Sequence, residues 1–313
     1  MNAKEKILQK LRGAYNLGKS CLISLKPVYN KYLRINKINR QTPDEYGCNL
    51  NEKREREIII SLTSFPARIH AVHLCINTLL QQTKKPDRVI LWLSPEEFPQ
   101  KEEALPESLL NLVKYGLTIG WCDINLRSYN KLLPTLQRYP NAIIVTADDD
   151  MYYPNDWLER LYASYLDNPN VVHQHTITRL EFNDKLSLKS ADRENKHKGS
   201  ESYFNKVRGC SGSLFPPHSF HSDIHRIDLL LEYAPTSDDI WFWAMAVLNG
   251  TKIKWMDNGI DKLFYIEDLQ KGPCLCHIND GEQHLFDIHI NNMLKLYPNI
   301  KEKLINELQQ SGQ

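Results

Sequence analysis

From Glu57 onward the chain alternates short apolar runs with segments of helical spacing. "EIIISLTSF" puts three isoleucines in a row and ends on Ser and Thr, which predicts a buried strand closing at a polar turn. "ARIHAVHLCINTLLQQ" spaces Ile69, Val72, Leu74, Ile76, Leu79 and Leu80 as a helix does. "DRVILWLS" predicts a second strand, "PEEFPQKEEALPESLLNLVKYG" a loop and helix, and "LTIGWCD" a third strand. "SYNKLLPTLQRYP" predicts a helix with Pro134 in an early turn, where proline is tolerated. "NAIIVTADDD" is a fourth strand that runs into three aspartates. Beyond Tyr162 the pattern loosens. "VVHQHTITRLEF" predicts one strand, and residues 183–206 are polar and charged, as a surface excursion would be. "PTSDDIWFWAMAVLNG" predicts a helix capped by Ser237, with acids in its first turn and Gly250 past its end. "TKIKWM" is a short strand, followed at the end by a charged amphipathic helical tail.

Strands alternating with helices predict an α/β fold, a mostly parallel central sheet flanked by helices. Ligands of such sheets sit beyond the carboxyl ends of the strands. Thr63 and Ser64, Asp123, and Asp148 to Asp150 all fall at predicted strand ends and are expected to converge on one crevice.

Length and charge refine this picture. The 313 residues suffice for one large α/β domain or two small ones. A formal net charge of +1 gives no argument for nucleic acid. The first 40 residues, however, hold ten Lys or Arg against the single acid Glu5, about +9, so the rest carries about −8. Residues 1–56 therefore read as a basic extension, helical in its first part, and a linker. Residues 57–285 read as the compact α/β domain and 286–313 as the amphipathic tail. The seven cysteines are an odd number without a disulfide framework. Cys274-Leu275-Cys276-His277 has no second pair to complete a structural zinc site. No signal peptide or spanning run is expected. The predicted location is cytoplasmic, with peripheral attachment at the inner face of the membrane through the basic segment.

Three adjacent carboxylates at the end of a buried strand require compensation, since like charges repel and desolvation penalises them. D-x-D spacing puts Asp148 and Asp150 on one side of the chain, able to share a divalent cation. Mg²⁺ and Mn²⁺ take oxygen ligands and keep phosphates in their shell. A solvated acidic turn would explain the residues equally without a ligand. The strand context favours the metal–diphosphate reading. Ser237-Asp238-Asp239 has its own structural explanation, because acids suit the positive end of a helix.

"SLTSFPARI", "LLQQTKKPDRVILWLSPEEFP", "DINLRSYNKLLPTLQRYPNAIIVTADDDMYYP", "GCSGSLFPP" and "PTSDDIWFWAMAVLNG" resemble the bacterial GT-A glycosyltransferases related to glycosyltransferase family 2, in particular a branch found in capsule and lipopolysaccharide clusters. The resemblance covers residues 57–285 and implies a Rossmann-like GT-A fold. It implies that Thr63, Ser64 and Arg68 begin the nucleotide pocket, that Asp123 holds base or ribose, and that Lys131 approaches the nucleotide. It implies Asp148 and Asp150 as metal ligands, Asp149 at the ribose, and Gly209 to Ser213, with Gly209 and Gly212, beside the donor sugar. Asp238 and Asp239 match the acidic pair that supplies a base, Asp239 being preferred. His277 matches a C-terminal histidine that joins the metal in some members of this fold. The loop reads Gly-Cys-Ser-Gly where the family carries a glycine run, which leaves its acceptor contacts open.

The function expected is metal-dependent transfer of a sugar from a nucleoside diphosphate donor, UDP by resemblance, to a hydroxyl of a cell-envelope glycan, with inversion and with Mn²⁺ or Mg²⁺ as cofactor. The alternative is a non-catalytic nucleotide- or carbohydrate-binding protein of the same fold. A nucleotidyltransferase would want a glycine-rich basic phosphate loop early in the chain, and "SLTSFPARI" lacks one.

Overall fold

The computed structural model of the chain describes residues 43–183, 187–190, 197–260, 263–267, 269, 279 and 285–311. The chain divides into two compact units, Met1–Asp44 and Glu45–Gln313, and every element below belongs to the second. Strands β1 (Ile58–Thr63), β2 (Arg88–Leu93), β3 (Leu117–Trp121), β4 (Ile143–Thr146), β6 (Val172–Gln174), β9 (Glu201–Ser202), β11 (Ser213–Phe215) and β12 (Ile253–Trp255) form one eight-stranded sheet. Its order is β3-β2-β1-β4-β11-β6-β12-β9. Only β11 and β9 run against the other six, so the mostly parallel α/β architecture expected from the sequence is present. Two small sheets lie beside it. One joins β10 (Asn205–Lys206), β7 (Thr178–Phe182) and β8 (Leu188–Ser190). The other joins β5 (Met151–Tyr152) and β13 (Phe264–Tyr265).

The central strands β1 and β4 are buried at nearly every position because both faces of a parallel sheet are covered. Ile58, Ile59 and Ile60 of β1 are all fully buried. On one face Ile59, Ile144, Phe215, Val172 and Ile253 pack in a single cluster with helix α5 (Asp238–Asn249). That helix is apolar nearly all round, as a core helix must be. Trp241, Phe242 and Trp243 are buried, which accounts for this aromatic run as core. Helices α6 (Leu285–Leu296) and α7 (Pro298–Ser311) put Ile290, Met293, Ile300 and Leu304 into the same cluster. Other described helices of six residues or more are α1 (Val72–Leu79), α2 (Leu133–Arg138), α3 (Trp157–Asp167) and α4 (Ile227–Tyr233).

Several local expectations are corrected. The helix expected over "ARIHAVHLCINTLLQQ" shortens to α1, because residues 66–71 turn before it starts. "VVHQHTITRLEF" is two strands in two different sheets, β6 and β7. Ser237 precedes α5 without capping it, and its hydroxyl instead meets His289 Nδ1 at 2.9 Å. The polar segment 183–206 is not all surface: it contributes β8, β9 and β10, and Asn205 and Lys206 are buried. Pro134 does sit in the first turn of α2, and Gly250 ends α5 in the left-handed conformation at φ 85°. Among the described residues no helix is long and apolar enough to cross a membrane. The basic segment 1–40 lies outside the described residues.

Candidate active site

Strand order reverses at β1, which is flanked by β2 on one side and by β4 on the other, and such a reversal opens a crevice at the strands' carboxyl ends. The residues leaving β1 and β4 meet there. Ser64 Oγ donates to Asp149 Oδ2 at 2.6 Å, and Arg68 Nη1 donates to Asp149 Oδ1 at 2.7 Å. Arg68 also stands 3.1 Å from Asp150 Oδ2. Burial raises the Asp149 carboxyl from 3.8 to about 6, with Arg68 opposing the rise and Asp150 adding to it.

Asp148 faces another cation. Lys131 Nζ lies 2.9 Å from Asp148 Oδ1 and 2.9 Å from Asp238 Oδ2, joining the end of β4 to the start of α5. Lys131 is buried, yet its pKa stands well above the ordinary value, because the surrounding carboxylates outweigh desolvation. Burial in turn raises the carboxyl of Asp148. Its backbone N–H donates to Tyr153 Oη at 2.8 Å, and that hydroxyl donates to the carbonyl of Cys210 at 3.3 Å. Tyr153, which sequence reasoning missed, thus ties the aspartate turn to the Gly209–Ser213 loop.

That loop enters β11, whose Ser213 pairs with Thr146 of β4 and so is delivered beside Asp148. The Gly209 N–H donates to both oxygens of Asp239 at 3.1 Å. A Cβ at Gly209 would lie 2.5 Å from Lys131 Nζ, 2.9 Å from Asp239 Oδ1 and 3.5 Å from Asp148 Oδ1. Lys131, Asp148 and Asp239 therefore surround one glycine. Gly212 has a different task. At φ 95° its missing side chain leaves room for the Trp157 ring, 2.4 Å from where a Cβ would stand, and Trp157 Nε1 donates to the Ser211 carbonyl at 2.8 Å.

The residues foreseen from sequence divide accordingly. Ser64, Arg68, Lys131, Asp148, Asp149, Asp150, Gly209, Asp238 and Asp239 are linked by the contacts above. Thr63 ends β1 with its hydroxyl donating to the Trp92 carbonyl at 2.9 Å. Asp123 is exposed past the edge strand β3, two strands from β1. His277 lies outside the described residues. Lys206, unforeseen, is buried with its Nζ 3.9 Å from Asp239 Oδ2. Its sequence signal was slight, a lysine between Phe204 and Val207.

Five carboxylates, Asp148, Asp149, Asp150, Asp238 and Asp239, thus meet three cations, Arg68, Lys131 and Lys206. The excess of two negative charges suits one divalent cation, and all-oxygen donors suit Mg²⁺ or Mn²⁺. Asp148 is the most open of the triplet, its side chain 28% exposed against 6% and 10% for Asp149 and Asp150. Among the described residues no three His, Cys, Asp or Glu side chains form a ready-made cage. The donor chemistry fits a hard cation that keeps most of its shell for water and phosphate.

No family model matches the chain, and no curated protein matches it. Solved structures similar to it include 4-diphosphocytidyl-2C-methyl-D-erythritol synthase from Anaerococcus prevotii, 13% identical, covering 69% of this chain and 96% of that one at a TM-score of 0.46. A second is 2-C-methyl-D-erythritol 4-phosphate cytidylyltransferase from Thermus thermophilus, 12% identical over 70% of this chain and 97% of that one, with a TM-score of 0.42. A third is the mannosyltransferase PcManGT from Pyrobaculum calidifontis, solved with GDP-Man and Mn²⁺. It is 13% identical over 75% of this chain and 65% of that one, with a TM-score of 0.40. Likeness at these levels assigns no activity.

Proposed function

We propose that the chain is a metal-dependent GT-A glycosyltransferase that moves a sugar, with inversion, from a nucleoside diphosphate donor to a hydroxyl of a cell-envelope glycan. The observation that carries this reading is the ring around Gly209: the D-x-D carboxylate Asp148, its partner Lys131 and the acid Asp239, assembled at the strand reversal.

Each residue has a task in this reading. Asp148 and Asp150 would hold the metal, which would supply positive charge to offset that of a diphosphate. Arg68 compensates Asp149 and Asp150, so the acidic turn folds with or without its ligand. Lys131 fixes Asp148 relative to Asp238. Asp239 is the better placed of the two acids to act as general base. Asp238 is engaged by Lys131, whereas Asp239 is held by a backbone N–H and keeps a side chain 24% exposed. Burial raises its carboxyl above the usual range, which favours proton uptake from an acceptor hydroxyl. UDP as the nucleotide, a lipid-linked acceptor and membrane attachment through residues 1–40 complete the proposal.

The test is a panel of sugar nucleotides assayed for release of nucleoside diphosphate with and without Mn²⁺. Slow metal-dependent hydrolysis of one donor is expected. Donor binding without any turnover would favour a non-catalytic binding protein.

A further inference from the structure

Lys206 is the one lysine of this cluster that the proposed mechanism leaves without a task, and its burial needs an explanation. It is 1% exposed. Its Nζ donates to the Val207 carbonyl at 2.7 Å and lies 4.5 Å from the centroid of the Phe286 ring on α6. The nearest carboxylate oxygen, Asp239 Oδ2, is 3.9 Å away, beyond a hydrogen bond but well inside the range of a strong charge interaction in a dry site. An apolar side chain of the same length would fill this space without the cost of desolvating an ammonium.

The two oxygens of Asp239 face different neighbours. Oδ2 is the oxygen near Lys206. Oδ1 lies 2.9 Å from the Cβ position of Gly209, the same position that Lys131 Nζ and Asp148 Oδ1 approach. The Gly209 N–H bonds both oxygens equally at 3.1 Å and so does not choose between them. Lys206 breaks that symmetry by attracting one oxygen from behind.

We propose that Lys206 is a positioning residue that holds Oδ2 of Asp239 and thereby presents Oδ1 to the acceptor hydroxyl. This rests on the reading of Asp239 as the base. Lys206 itself is too buried to touch substrate, so its effect must pass through Asp239. It also links the base to α6, because its ammonium sits against Phe286.

A double-mutant cycle of Lys206→Met and Asp239→Asn in the full chain tests this, with kcat for transfer and KM for the donor measured in each. Lys206→Met is expected to lower kcat about tenfold or more with donor KM within about twofold, and to cost less than about twofold further in the Asp239→Asn background. An equal loss in both backgrounds, or a change confined to donor KM, would overturn the proposal. Should the Met variant not fold, Lys206→Gln keeps a donor for Val207 and is read in the same cycle. Failure of both to fold assigns Lys206 to structure alone and also overturns it. A wild-type chain that transfers no sugar from any donor would overturn the glycosyltransferase reading and this inference together, an outcome distinct from those above.

Discussion

Gly209 holds Asp239 through a single backbone N–H shared between both carboxylate oxygens at 3.1 Å. The relationship depends on the absence of a side chain, since a methyl group would displace Lys131 Nζ and Asp239 Oδ1. Gly209→Ala is therefore expected to lower turnover by about 10–100-fold while moving Tm little, because a 1 Å misplacement at a reacting group has effects of that order. Gly212→Ala is expected to do the reverse, lowering Tm through the Trp157 clash and its strained φ. Melting curves and initial rates for the two variants separate these outcomes. A Gly209→Ala enzyme with full activity would contradict the geometry.

Arg68 serves two buried carboxylates at once, with its own side chain 12% exposed. Removing one partner of a buried ion pair leaves uncompensated charge and costs about 3–5 kcal/mol. Arg68→Met is expected to destabilise the fold by a value in that range in urea denaturation at pH 7. Asp149→Asn added to it is expected to restore part of the loss. A loss of under about 1 kcal/mol, the scale of surface pairs, would show that the triplet is solvated instead.

The raised Asp149 carboxyl gives a pH signature of defined sign. Its folded value of about 6 lies above the unfolded 3.8, so the fold holds this proton more tightly than the unfolded chain does. The resulting stabilisation is complete below about pH 4 and is lost as pH rises through 6, with a ceiling of about 3 kcal/mol. Asn cannot ionise and escapes that loss. The Tm difference between Asp149→Asn and the parent chain is therefore expected to shift in favour of the variant from pH 4 to pH 7. A shift in the opposite direction would show that Arg68 and Ser64 outweigh burial.

Asp239→Asn is expected to reduce transfer by about 10²-fold or more, the scale of a lost general base, while donor affinity survives. Calorimetry of donor binding alongside rates checks this. Collapse of donor affinity would move Asp239 to the donor side of the site.

Much of this site was legible because its residues follow strand ends, and periodicity locates strand ends well. Ile143 to Thr146 announce β4, so Asp148 had to fall at the carboxyl edge of the sheet. Pattern alone could not show what each carboxylate faces. The positive charge demanded by the triplet is in part the protein's own, Arg68 and Lys131, and these lie 81 and 17 residues from their partners. Lys206 was hidden for a similar reason. Its polar neighbourhood reads as surface until β10 pairs with β7 and places Lys206 beneath Phe286. Asp123 also follows a strand end, but its strand β3 is at the edge of the sheet, two strands from the reversal.

The central claim is that Asp148 anchors a divalent cation for nucleoside diphosphate departure. The most direct measurement is release of nucleoside diphosphate from a panel of sugar nucleotides by the full chain, with Mn²⁺ or with EDTA, beside Asp148→Ala. The expected result is release from one donor that needs the metal and is abolished by the substitution, in a variant that still folds although Lys131 loses one of its two carboxylate partners. Release that persists undiminished in EDTA and in Asp148→Ala, or no release from any donor, would contradict the account.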